Sequence, residues 1–258
     1  MGLILLTNDD GYDALGFQSL YKGLIKDFEV FVSVPRHQQS GASHSLTLRR
    51  PIRVEKLREN FFIVDGTPTD CVLLAYHDLI KDKIDMVISG INHGPNMGSD
   101  VFYSGTVAAA LQAATLGIKN ALAVSLAGDA FSDFTRAVNY TRNLIKRILS
   151  INSGDSKLEL KSEFLILNVN IPQGGIKGER ITRMGRRIYK DKVIRDNEKN
   201  GVMYSVIDGV LDYKLDADTD FEAVEMGYVS LTPLKLDLTN YEAINELTPI
   251  VKKMHFTP

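Results

Sequence analysis

Leu3-Ile4-Leu5-Leu6-Thr7-Asn8-Asp9-Asp10-Gly11 is an apolar run of strand length that breaks, without a spacer, into a polar and acidic turn. Its apolar residues are consecutive rather than alternating, which suits a strand buried on both faces, as in the interior of a parallel sheet. The same signature returns at Val30 to Val34, Ile84 to Ile88, Ala121 to Leu126 and Phe164 to Val169. Between these runs the apolar spacing turns helical. Leu20, Leu24 and Ile25 share a face within Leu15 to Phe28, and Val72, Leu73, Tyr76, Leu79 and Ile80 share one in the next segment. An alanine-rich stretch from Thr106 to Leu116 stops at Gly117, and Phe134 to Leu149 is amphipathic. Thr67-Pro68-Thr69-Asp70 starts the second helix, with Thr67 as N-cap, Pro68 at the first helical position and Asp70 completing a capping box. Strand alternating with helix up to Pro172 predicts an α/β fold: a three-layer, doubly wound, mostly parallel Rossmann-like sheet.

Beyond Pro172 the character changes. Arg186-Arg187 and the acidic stretch Asp212 to Asp220 read as solvated surface, and alternation at Val202 to Ile207 predicts a hairpin or arm outside the main sheet. Gly227 to Leu234 reads as another strand, and Thr239-x-x-Glu242 as the cap of a last helix reaching about Lys252. The chain of 258 residues is then one domain, with a core over 1–172 plus the strand 227–234, an arm over about 173–226 and a tail over 235–258.

Thirty basic residues stand against 32 acidic ones, a net charge of −2, so no basic footprint for a nucleic-acid polymer is expected. No apolar run is long enough for a membrane span, and a single cysteine, Cys71, leaves neither an intrachain disulfide nor a thiolate cluster. A cytoplasmic setting is the default expectation. The sequence lacks Gly-x-x-x-x-Gly-Lys-Ser/Thr, a Gly-x-Gly-x-x-Gly after the first strand and a Gly-x-Ser-x-Gly elbow. Its five histidines (His37, His44, His77, His93 and His255) show no zinc spacing; His77 reads as structural, and only His44 and His93 lie where proton transfer is conceivable. Cys71, in the first turns of an apolar helix, reads as a core residue.

Ligands of open parallel sheets bind beyond the C-terminal strand ends. There, Asp9 and Asp10 repel one another unless a positive charge sits beside them, which a hard divalent cation would supply. A plain turn and helix-cap role for Asn8 to Gly11 is the competing reading. Gln38 to Ser45 forms a second loop of small hydroxyl and glycine residues. Ser89-Gly90-Ile91-Asn92-His93-Gly94-Pro95-Asn96-Met97-Gly98-Ser99-Asp100 forms a third, leading into Tyr103-Ser104-Gly105-Thr106 at a helix start. A helix N-terminus offers amides and a positive dipole end to an anion; Ser104 is equally a plausible cap.

Taken in order, Thr7 to Gly11, Gln39 to Ser43, Gly66 to Cys71, Ser89 to Asn92, Asn96 to Gly98 and Tyr103 to Val107 closely resemble the SurE family. These stationary-phase survival proteins act as nucleoside monophosphate phosphatases (5′/3′-nucleotidases). Asn168-x-Asn170-Ile171-Pro172 and the stretches Asp220 to Ala223 and Gly227 to Leu234 continue the match more weakly. The resemblance implies one divalent ion per subunit, Mg or Mn, held by Asp9, Asp10, Ser40 and Asn92. It also implies that Asn96 and Ser104-Gly105-Thr106 face the phosphate. A homodimer or homotetramer with a protruding hairpin and an exchanged C-terminal tail is implied as well, and short polyphosphate stands as a further candidate substrate.

The expected chemistry is attack of an activated water on phosphorus, with Asp9 or Asp10 as possible proton acceptor and fixed donors at Asn96, Ser104, Gly105 and Thr106. An aspartyl-phosphate enzyme is disfavoured because Gly11 and Tyr12 stand where its second acid would be. A nucleotide-sensing binding module without turnover remains the alternative.

Overall fold

The computed structural model describes residues 2–128, 133–152, 162–199 and 202–253; Met1, His255 and the end of the tail lie outside these. The first half holds the expected strands and helices with an unexpected hairpin, β3 and β4, between them: β1 (Leu3–Thr7), α1 (Leu15–Leu24), β2 (Glu29–Pro35), β3 (Val54–Arg58), β4 (Phe61–Val64), α2 (Pro68–Leu74) and β5 (Ile84–His93). The second half adds α3 (Gly105–Thr115), β6 (Asn120–Ala127), α4 (Thr135–Asn152), β7 (Leu165–Pro172), β8 (Glu179–Ile181), β9 (Arg186–Lys199), β10 (Val202–Lys214), α5 (Asp220–Glu225), β11 (Val229–Leu234) and α6 (Tyr241–Lys253).

The main sheet runs β3-β4-β2-β1-β5-β6-β7-β11-β8. From β4 through β7 every pairing is parallel, whereas β3 and β11 join antiparallel and β8 pairs parallel with β11. Strand periodicity splits the core in two. Ile4 and Leu6 face a cluster with Phe17, Leu20 and Leu24 of α1 and Val138 and Ile145 of α4. Leu3 and Leu5 face the other cluster, with Val72 of α2 and Val107, Ala109, Ala110 and Ala113 of α3. Helices therefore cover both faces, and the strand order reverses at β1: the chain passes through α1 to β2 on one side and later, after α2, returns to β5 on the other. The gap between the ends of β1 and β5 is thus a topological switch point, where such sheets place their ligands.

The capping box at α2 is present: Thr67 Oγ1 accepts from Asp70 N at 3.1 Å and Asp70 Oδ2 accepts from Thr67 N at 2.9 Å. The second predicted helix ends in a wider turn, with Ile80 N donating to Ala75 O, so His77 sits exposed on that turn rather than in a structural position. Helix α1 stops at Leu24 and loosens into turns before Phe28. The last helix is capped by Asn240, whose Oδ1 accepts from Ala243 N at 3.0 Å, and not by Thr239. Cys71 is buried, and burial pushes its thiol well up, as for an inert core residue. No helix of the described residues is long and apolar enough to cross a membrane.

Within the stretch read as an arm, β9 and β10 form the two-stranded antiparallel hairpin, while β8 and α5 belong to the body. The joint between hairpin and body is Asp220, fully buried at the start of α5. Its carboxylate accepts from Gly98 N at 2.7 Å, Gly185 N at 2.8 Å and Phe221 N at 2.9 Å. Burial raises its pKa, opposed by these amides. Asp220→Ala strands three buried donors and is expected to lower the unfolding free energy by about 3 kcal/mol or more, read as a shifted denaturation midpoint.

Candidate active site

The turn after β1 is closed by Asn8, whose side chain donates to Gly11 O at 2.9 Å and accepts from Gly11 N at 3.2 Å. Asp9 and Asp10 are therefore free of turn duty, and neither caps α1, which starts at Leu15 after Ala14. Asp9 points across the switch point to the first turn of α3. Its carboxylate accepts from the Thr106 hydroxyl and, at 3.0 Å, from Thr106 N. Asp10 Oδ2 accepts from His93 N at 3.0 Å, at the end of β5. Burial pushes the Asp9 pKa up to about 6, the Thr106 donors pulling against it and the Asp10 charge adding to it. Burial also raises Asp10, opposed by the His93 amide.

Of the remaining predicted residues, Ser40, Asn92 and the Ser104–Thr106 turn lie on segments bonded to this pair, while Asn96 is bonded elsewhere. Gln39 N donates to Asp9 O at 2.6 Å, which brings Ser40, on the exposed second loop, to within one residue of that contact. Ser40 Oγ accepts from Gln38 Nε2. Asn92, next to His93, donates to Gly94 O at 2.8 Å. Asn96 is buried and its Nδ2 donates to Ser125 Oγ at 2.9 Å. Ser104 caps α3, accepting from Val107 N at 3.1 Å. Both Thr106 donors are committed to Asp9, so Thr106 acts in this arrangement on the carboxylate, while the first-turn amide at Gly105 has no acceptor within its own helix. Of the two histidines singled out, His93 Nε2 accepts from Gly16 N at 3.1 Å and His44 Nε2 is bonded to Gln112. Among the described residues no three His, Cys, Asp or Glu side chains converge, so a cation would be held by two carboxylates with neutral oxygens.

Sequence reading passed over Ser125, and gave Asn168 and Asn170 no role, because they are polar residues inside apolar strands. The available signal was that very mismatch, since a buried amide needs partners.

The family model described as survival protein SurE matches residues 4–191. The chain belongs to the SurE family. Two curated relatives carry the name 5′-nucleotidase SurE. That of Syntrophotalea carbinolica is 42% identical over 249 residues, covering 95% of this chain and 96% of its own. That of a Marinomonas species is 44% identical over 249 residues, with 95% and 96% covered. A crystal structure of the SurE protein from Aquifex aeolicus superposes with a TM-score of 0.82 at 37% identity, over 96% of this chain and 99% of that one.

At the heart of this SurE site, Gly105 lets α3 approach the first loop. A Cβ there would lie 2.9 Å from Asp9 Cβ and 3.2 Å from Pro68 Cγ. Gly105→Ala is expected to push the helix start off Asp9 and cost about 1–3 kcal/mol through overpacking, visible as a lowered thermal midpoint. A melt unchanged from wild type would show that the helix start does not bear on Asp9.

Proposed function

We propose that the chain is a divalent-metal-dependent phosphoric monoester hydrolase that converts nucleoside 5′-monophosphates to nucleoside and phosphate. The observation that carries the reading is the adjacent Asp9 and Asp10 at the switch point, Asp9 buried against the N-terminus of α3 and Asp10 half-buried against the end of β5. Two adjacent carboxylates, each with its pKa raised by burial and with the Asp10 charge raising Asp9 further, fit a hard cation. Asp9 and Asp10 would hold Mg²⁺ or Mn²⁺, with Ser40 and Asn92 as neutral donors and waters completing the shell. A cation bound there supplies positive charge beside the phosphate oxygens and lowers the pKa of water.

The chain's own groups do the rest. Ser104, Gly105 and Thr106 set the positive end of α3 toward the phosphate. Asn96, whose Nδ2 carries a second hydrogen beyond the one given to Ser125, adds a fixed donor to the equatorial oxygens. The Thr106 hydroxyl and amide hold the Asp9 carboxylate in one orientation. The curated names of the relatives support the 5′-nucleotide as substrate; 3′-nucleotides and short polyphosphate are further candidates. EDTA is expected to abolish phosphate release from a nucleoside monophosphate, and Mn²⁺ or Mg²⁺ to restore it. Full turnover in metal-free protein would overturn the metal role, and nucleotide binding without release would mark a sensing module instead.

The assembly belongs to the same proposal. Helix α6 exposes Tyr241, Ile244, Leu247, Ile250 and Val251, each about half exposed (47–59%). A single chain leaves this apolar stripe in water, and exchange of such a tail between copies covers it at low cost. Light scattering coupled to size exclusion at micromolar protein is expected to give a homodimer or homotetramer. A clean 28.7 kDa monomer would end this part of the proposal.

A further inference from the structure

Apart from Asn120 at the start of β6, the polar side chains of strands β6, β7 and β11 form one layer running across them. Ser125 pairs in register with Asn170, Asn170 with Ser230, and Asn168 with Thr232. All five are buried, at 2% exposure or less. Ser230 and Thr232 satisfy themselves against Thr182, at 2.8 and 2.7 Å. The other three converge on one residue. Asn170 Oδ1 accepts from Asn96 N at 2.8 Å while its Nδ2 donates to Asn96 O at 3.0 Å, a two-point grip on the main chain. Asn168 Nδ2 donates to the same Asn96 O at 2.7 Å, and Ser125 Oγ accepts from Asn96 Nδ2 at 2.9 Å. Asn168 Oδ1 is left buried without a hydrogen-bond partner. A core built for packing alone would avoid that cost.

We propose that Asn170, Asn168 and Ser125 are positioning residues that fix Asn96 for phosphoryl transfer; this rests on the reading of Asn96 as a phosphate-facing donor. Asn170 and Asn168 set the peptide, and Ser125 sets the side-chain amide. On the next turn Asp220 holds Gly98 N at 2.7 Å, so the segment from Asn96 to Gly98 is gripped at both ends. A donor held in this way stabilises charge in the transition state without reorganising, and displacing it by about 1 Å can cost on the order of 10²-fold in rate.

A double-mutant cycle on kcat/KM separates this role from simple stabilisation, because a residue acting through Asn96 has nothing left to act through once that side chain is gone. Asn170→Ala and Ser125→Ala would each be measured in the wild type and in Asn96→Ala, with a nucleoside monophosphate and Mn²⁺. Each is expected to lower kcat/KM by about 10- to 100-fold in the wild type and by less than about 3-fold in the Asn96→Ala background. Equal losses in both backgrounds, wild-type rates for both single variants, or a wild-type rate for Asn96→Ala itself would overturn the proposal. Should Asn170→Ala fail to fold, Ser125→Ala decides alone, since it removes one hydroxyl. A wild type that releases no phosphate overturns the catalytic reading and this role with it; an active wild type with an additive cycle overturns this role only.

Discussion

A carboxylate buried at the end of the central strand and gripped by the first turn of a helix is the constraint on which the site depends. Asp9 is 4% exposed, and burial pushes its pKa up. The Thr106 hydroxyl and amide oppose that, and they can reach Asp9 only because Gly105 lets the backbone of α3 come close. That approach requires α3 to lie flat on the sheet, which its small buried residues Ala108, Ala109, Ala110, Ala113 and Ala114 permit. The alanines therefore serve the site as much as the core: larger side chains would lift the helix and leave Asp9 without its donors.

The same device recurs wherever the chain lacks regular pairing. Asp10 accepts from His93 N, Asp70 from Thr47 N and Thr67 N, Asp85 from Leu3 N, and Asp220 from three amides. Each carboxylate stands on or beside a strand or helix and takes a backbone N–H from another segment. A charged acceptor makes a stronger hydrogen bond than a neutral one, and it satisfies amides that loops cannot pair by themselves. Loops tied in this way acquire fixed positions without becoming sheet or helix, which a site built between strand ends requires.

How much of this the sequence disclosed follows from which forces act locally. Strands β1, β2, β5, β6 and β7 are buried on both faces, so their composition announces them, and the Thr67–Asp70 capping box is complete within four residues. Strands β3 and β4 escaped. Val54-Glu55-Lys56-Leu57-Arg58 pairs on one side only and carries the charge of an edge, with Arg58 stacked 4.2 Å over Phe61. Its turn did leave a trace, since Glu59-Asn60 makes a two-residue connection with Asn60 at φ 53°. The acids of the site were legible because paired carboxylates after a strand demand an explanation. Their partners were not: Thr106 lies 97 positions from Asp9 and Asn170 lies 74 from Asn96, separations that no local pattern encodes.

The two sides of the site are built unequally. Asp9, Asp10, Asn92, Asn96 and Thr106 lie on or just beyond β1, β5 and α3, elements that the two packed clusters hold in place. Ser40 comes from the exposed second loop, tied to the body by Gln39 N to Asp9 O, Ser43 N to Tyr103 O, His44 to Gln112 and Thr67 Oγ1 to Ser45 O. Ser43 at φ 53° and Gly41 at φ 74° show that this loop takes its course from turns and not from burial. Elements with few buried contacts open at lower free energy than the core beneath them. The exposed second loop therefore opens before the acids, the α3 turn and the Asn96 clamp, which lie against the core.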